Sequence, residues 1–383
     1  MVALAVRLRE LGAEVRVCAP PDEVFAELPA RAGVPLTPIG PPMSSLTRPS
    51  TSSGASRRVS VFAAQFDAVV EAAEGCDLLL ATGFAYFASR SVAEKLGIPY
   101  VYVTFCSFLL PSPHYPPQSL MPGATFPPEV TDNRELWDLN AQQFNELHGE
   151  ALNAHRASVG LPLVDDVRAY TFTDRPWLAT DPTLAPWQET LDLDVVRTGA
   201  WILPDERPLP DDLTAFLDAG EPPVHVGFGS MRHVSGDVAG VAIEAIRGQG
   251  RRALVGRGWA NLAPIDDGDD CFVIGEVNRQ QLFGRVAAVV HHGGAGTTTT
   301  AALAGAPQIV VPQAGDQSYW AARVADLGIG AAHDGPIPTT ESLSIALKTA
   351  LTPETQARAT AVAGTIRTDG AMVAAKLLLD RSR

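Results

Sequence analysis

The sequence predicts an α/β fold of two doubly wound, mostly parallel sheets, on the strength of three observations. Strand-length apolar runs alternate with helix-length stretches as far as Thr104, and the same alternation returns after Val224. Between the two series lies Arg197 to Pro210, which holds Pro204, Pro208 and Pro210 and reads as a linker. In the second series the apolar run Val286 to Val290 passes through a glycine turn directly into an Ala-rich helical segment. The 383 residues therefore divide into a first domain over 1–196, a linker over 197–210 and a second domain over 211–383.

The elements follow in chain order. Val2 to Gly12 fits an amphipathic helix, Glu14 to Ala19 a strand, and Val59 to Gly75 a helix with Val59, Phe62, Phe66, Val69 and Val70 on one face. Asp77 to Ala81 reads as a strand, Arg90 to Gly97 as a helix and Pro99 to Thr104 as a strand. In the second half, strands are expected near Val224 to Phe228, Arg252 to Val255, Cys271 to Ile274, Ala287 to His291 and Gln308 to Val311. Two irregular insertions interrupt the first half. Gly40 to Arg58 is rich in Ser, Thr and Pro, and Ser107 to Pro128 holds seven prolines among Phe108, Tyr115 and Phe126. The second is expected to face an acceptor, because rigid prolines and aromatic rings suit a large flat substrate. A doubly wound sheet carries its first strand near the centre, and Glu14 to Ala19 reads as the second. A strand of about 5–6 residues and a loop are thus expected ahead of it, or else a gap in the first sheet.

Composition narrows the function classes. The chain is 46% hydrophobic, with mean hydropathy +0.07, enough for sizeable cores. No run approaches the ~20 apolar residues of a membrane span, and charged residues from Arg7 to Arg16 break any signal-peptide pattern. A soluble cytoplasmic enzyme is expected, acting as a monomer. A net charge of −14 argues against nucleic acid as a partner. Cys18, Cys76, Cys106 and Cys271 form no CxxC pair or zinc spacing and are expected as free thiols.

The chemistry concentrates in HHGGAGTT, His291 to Thr298. Strand, glycine turn and helix bring free backbone N–H groups and the positive end of a helix dipole to one point, which suits a diphosphate. Gly293, Gly294 and Gly296 let the backbone approach, His292 can donate to a phosphate oxygen, and Thr297 adds a hydroxyl. Ser230 closes the turn after the strand ending near Phe228 and offers another donor. Trp259, after the strand ending near Val255, is placed to lie over a planar base, with Val277 presenting backbone groups to its edge. Asp316 and Gln317 follow the strand ending at Val311, where side chains reach the hydroxyls of a ligand.

At these residues the chain resembles the family 1 inverting glycosyltransferases, most closely the actinobacterial branch acting on vancomycin- and teicoplanin-type glycopeptide antibiotics. The resemblance runs through Arg90 to Tyr100, Tyr170 to Pro186, Arg197 to Leu209, Val226 to Ser230, Arg257 to Leu262, Ile274 to Asn278, the segment around HHGGAGTT, and Ala361 to Ala371. It implies the GT-B fold, with an N-terminal acceptor domain and a C-terminal donor domain facing a cleft. It further implies a UDP- or dTDP-sugar donor, a glycopeptide aglycone acceptor, and transfer without a metal. His292 and Asp316 are the catalytic candidates. Ser230, Trp259, Val277, His292, Gly294, Gly296, Thr297, Asp316 and Gln317 would bind the donor, and Phe108 and Tyr115 the acceptor. The family's Gly-Ser-Arg-Gly-Asp loop, its usual source of a base, is missing here, since Met1 leads at once into a helix. Transfer to another aromatic or polyketide product, a nucleotide-sugar epimerase and a non-catalytic donor-binding helper are the alternatives. Asp192-Leu193-Asp194 imitates a metal-binding D-x-D motif away from any strand end, and Asp266 to Asp270 lacks the distal Glu of a calcium loop.

Overall fold

The computed structural model describes residues 1–40, 42, 65–83, 88–118, 125–229, 231, 237–264, 266 and 268–381. Ser230 and most of the Gly40 to Arg58 insertion lie outside them. The chain forms two compact units, one of Met1–Thr180, Trp187–Leu203 and Thr368–Arg383, the other of Asp181–Pro186 and Pro204–Arg367.

The first unit begins with α1 (Val2–Glu10), β1 (Val17–Ala19), α2 (Glu23–Arg31), β2 (Leu36–Pro38), α3 (65–73), β3 (Leu79–Thr82), α4 (Ala88–Leu96) and β4 (Tyr100–Thr104). It continues through α5 (Asn133–Phe144), α6 (Glu150–Ser158), α7 (Val167–Phe172), β5 (Trp177–Leu178) and β6 (Val196–Arg197). Strands β3-β4-β5-β6 make one parallel sheet, while β1 and β2 pair separately. The described strands of this unit thus form two sheets. Alternation along β4 places Tyr102 in one apolar layer, with Phe66, Val92 and Phe172, and Val101 and Val103 in another. Each such fully buried side chain contributes about 1.5–3 kcal/mol.

The second unit contains α8 (Asp211–Asp218), β7 (Val224–Gly227), α9 (Val238–Arg247), β8 (Ala253–Gly256), β9 (Cys271–Ile274), α10 (Arg279–Phe283), β10 (Ala288–His291) and α11 (Ala295–Leu303). It ends with β11 (Gln308–Val310), α12 (Gln317–Asp326), β12 (Gly330–Ala332), α13 (Thr340–Ala350) and α14 (Pro353–Ala363). Its six parallel strands run in the order β12-β11-β10-β7-β8-β9, so the chain enters at the centre, winds outward, and returns to the other side. Val224, Val226, Ala288 and Val290 meet α9 and α13 on one face, and Leu254 and Val289 meet α8, α10 and α11 on the other. The switch point falls between β7 and β10, where doubly wound sheets bind ligands beyond the strands' carboxyl ends.

Two stretches depart from the domain limits read in the sequence. The last helix, α15 (Gly370–Arg381), belongs to the first unit: Ala374, Ala375 and Leu378 pack with Leu4 of α1 and with Val101, Val103 and Trp177. Gly370 is needed there, because a Cβ would lie 2.5 Å from the Ala200 carbonyl oxygen. Conversely, Asp181–Pro186 belongs to the second unit, where the Asp181 carboxylate accepts from the Arg367 backbone N–H at 2.9 Å. Arg323 also donates to the Leu184 carbonyl at 2.9 Å. None of the four cysteines forms a disulfide.

Candidate functional site

Strand β10 is buried along its whole length and delivers two histidines to its carboxyl end. His291 is internal. Its Nδ1 accepts from the Gly293 N–H at 3.1 Å, which leaves Nε2 to donate to Gln308 Oε1 at 2.9 Å. Gln308 Nε2 in turn donates to the Thr298 carbonyl in α11. Burial, with lesser effects from neighbours, pushes the His291 pKa down to about 3, so the ring is neutral and braces the turn.

The turn that His291 braces requires glycine. Gly293 has φ +91°, and a Cβ on it would lie 2.6 Å from Val310 Cγ1 and 3.0 Å from the Gln317 carbonyl oxygen. Gly294 then occupies the N-cap of α11, with no side-chain cap and no acidic residue in the first turn. The first intrahelical acceptance is from the Thr298 N–H to the Gly294 carbonyl, so the preceding N–H groups have no partner within the helix. A Cβ at Gly296 would meet nothing within 4 Å. Free donors, a dipole end and open space therefore coincide.

His292 stands beside this helix end. It is 7% exposed, yet neither ring nitrogen has a hydrogen-bond partner among the described residues, and its Nδ1 is fully buried. Burial lowers its pKa, the nearby Asp316 carboxylate opposes that, and Arg279 reinforces it. The result is a neutral imidazole able to give a hydrogen bond to an anion. Thr297, half-buried on the first turn, accepts from Arg279 Nη1 at 3.3 Å.

Asp316 is the N-cap of α12, and its Oδ2 accepts from the Trp320 indole N–H at 2.9 Å. The structure thus brings His292, Thr297 and Asp316 to one edge. Gln317 turns inward instead: its Oε1 accepts from the Gln313 and Ala314 N–H groups at 2.6 and 3.1 Å, and its Nε2 lies 3.5 Å from Met231 Sδ. In this arrangement the amide braces the turn before α12 rather than presenting its oxygen to a sugar. Trp259 is half-buried in the turn after β8, outside the core, with its backbone N–H donating to the Gly229 carbonyl at 2.9 Å. Gly258 permits that approach, since its Cβ would fall 2.7 Å from the same oxygen. The Val277 side chain packs on the core beside α10, so only its backbone is available for recognition.

In the first unit, Phe108 is buried, and the Tyr115 hydroxyl donates to the Ser107 and Leu110 carbonyls at 2.7 and 3.0 Å. Tyr115 also packs edge-on against Trp137 and Trp187. Both residues hold the proline-rich loop from inside, which departs from the acceptor-facing role expected of them. Asp192 and Asp194 pair with Arg134 and Arg175 at 3.0 and 2.8 Å. Arg247 joins Asp266 and Asp270, both at 2.7 Å, and these bonds hold the carboxyls below the usual range. Reading the sequence missed Arg279, Gln308 and Trp320. Only the i,i+4 spacing of Asp316 and Trp320, and a polar residue inside a buried strand at 308, signalled the last two.

Residues 269–373 match the family model described as Erythromycin biosynthesis protein CIII-like, C-terminal domain. A vancomycin aglycone glucosyltransferase of Amycolatopsis orientalis is 58% identical over 386 residues, covering 99% of this chain and 93% of that protein. From the same organism, glycosyltransferase GtfE is 57% identical and a dTDP-epi-vancosaminyltransferase 51% identical, with the same coverage. In fold, the solved structure of the glycotransferase of kitacinnamycin superposes with a TM-score of 0.71 at 20% identity, covering 100% of this chain and 94% of that one. With the uncapped helix end and neutral histidine at the switch point of a GT-B fold, the chain belongs to the family 1 glycosyltransferases, in the branch of the vancomycin-type glycopeptide enzymes.

Proposed function

We propose that this protein moves a sugar from a UDP- or dTDP-sugar onto a hydroxyl of a vancomycin-type glycopeptide aglycone, with inversion and without a metal. The observation that carries the reading is the uncapped N-terminus of α11 beside a neutral His292 that has no hydrogen-bond partner among the described residues. The acceptor hydroxyl oxygen attacks the anomeric carbon and gives up its proton to water as the bond to the β-phosphate oxygen breaks, so negative charge grows on the departing diphosphate. His292, Thr297 and the first-turn N–H groups meet that charge as fixed donors, the role a metal ion plays elsewhere. Asp316, oriented by Trp320, accepts from the sugar's hydroxyls. Trp259 takes the base, with Val277 backbone groups at its edge. The acceptor and the choice of dTDP or UDP come from the likeness to the curated relatives.

Metal independence is checked by assaying transfer onto the aglycone before and after exhaustive treatment with EDTA. Unchanged turnover supports the reading. Loss of activity that added magnesium or manganese restores would contradict it.

A further inference from the structure

We infer that Arg279 is a further donor-binding residue, one that holds the diphosphate and so supplies the positive charge that the turn itself lacks; the inference rests on the donor-site reading above. Arg279 opens α10, whose start is fixed because Asn278 Nδ2 donates to the Asp205 and Arg207 carbonyls, both at 2.7 Å. From there Arg279 Nη1 reaches Thr297 Oγ1, on the first turn of α11, at 3.3 Å. Because Thr297 accepts from the guanidinium, its own hydroxyl hydrogen is free to point at a phosphate oxygen.

A second observation points to the same ligand. His292 is buried beside this turn with no hydrogen-bond partner among the described residues, and Arg279 lies close enough to oppose its protonation. A cation held near an unprotonated histidine and an uncapped helix end is an arrangement completed by an anion. Glu276 is the carboxylate that most favours the charged guanidinium, but it receives both Nη atoms of Arg207, at 2.7 and 3.1 Å. A planar guanidinium matches two phosphate oxygens at once, which an ammonium does not. In a chain of net charge −14 such a local cation is needed to draw a diphosphate to the site.

The test is calorimetric titration of UDP and dTDP, and of uridine and thymidine, into the wild type, Arg279→Gln and Arg279→Lys, with melting temperatures as the folding control. The inference expects Arg279→Gln to bind the diphosphates about tenfold to a hundredfold more weakly, with nucleoside affinity unchanged. Arg279→Lys should recover part of the loss, and raised salt should narrow the gap between wild type and Gln variant. Equal diphosphate affinity in wild type and Arg279→Gln would overturn it, as would an equal loss for diphosphates and nucleosides. A wild type that binds no nucleoside diphosphate would overturn the donor-site reading together with this assignment. If Arg279→Gln melts early, the Lys variant decides by the same comparison of diphosphate with nucleoside.

Discussion

His291 and His292 are adjacent in the chain and opposite in task. One is hydrogen-bonded at both nitrogens, whereas the other has no partner among the described residues. His292→Ala should therefore lower turnover by about 10²–10³ with an unchanged melting curve. His291→Ala leaves Gln308 and the Gly293 N–H without their partner and should cost about 1–3 kcal/mol of stability. Reversed phenotypes would show that the two rings have been assigned the wrong way round. The histidine pair was legible in the sequence, but which ring meets the ligand was not, since that depends on Gln308 from the neighbouring strand.

Buried histidines also set a pH dependence. His225 lies under Gly227 and Gly256 and is pushed down to about 4, mainly by burial, as His291 is pushed to about 3. Both folded values lie below the unfolded ~6.5, so the unfolded state binds more protons and stability falls as the pH drops through about 6.5 towards 4. Between pH 7 and 5 the loss should be on the order of 2 kcal/mol for each ring. Denaturant titrations of the second unit's transition across that interval measure it. A flat profile would mean that these rings accept protons in the folded state.

At the scale of elements, the turn between β10 and α11 is the part most dependent on glycine. Gly293→Ala forces a left-handed φ on alanine, at about 1–2 kcal/mol, and drives a methyl into Val310 and the Gln317 backbone. It should lower the melting temperature clearly. Gly296→Ala adds a methyl to open space, so its melting temperature should hold while nucleoside diphosphate affinity drops, if that space is the ligand's. An equal effect of both substitutions on stability would contradict this account of the turn. Strand β10 and helix α11 were readable because an apolar run, glycines and a helical stretch follow in order. The two-residue strands β5 and β6 offered no periodicity to read, and α15 joins the first unit through partners distant in the sequence, Leu4 among them. Local pattern carries no trace of such non-local packing.

Across the whole molecule the two units differ in how fully their sheets match the sequence reading. All five strands expected in the second unit form, and β12 joins them at the edge. In the first unit the described strands separate into β1-β2 and β3-β4-β5-β6. The clustering of His292, Thr297 and Asp316 at one edge was legible because these residues lie in short motifs at strand ends. The inward packing of Phe108 and Tyr115 was not legible, because their partners Trp137 and Trp187 are distant in the sequence.

The central claim is tested most directly by incubating the protein with a panel of UDP- and dTDP-sugars and a vancomycin-type aglycone, and weighing the products by mass spectrometry. The account predicts an aglycone heavier by one sugar with at least one donor, and loss of that product in His292→Ala. Donor binding with no glycosylated product across the panel would contradict it, leaving a protein that holds nucleotide sugars without transferring them.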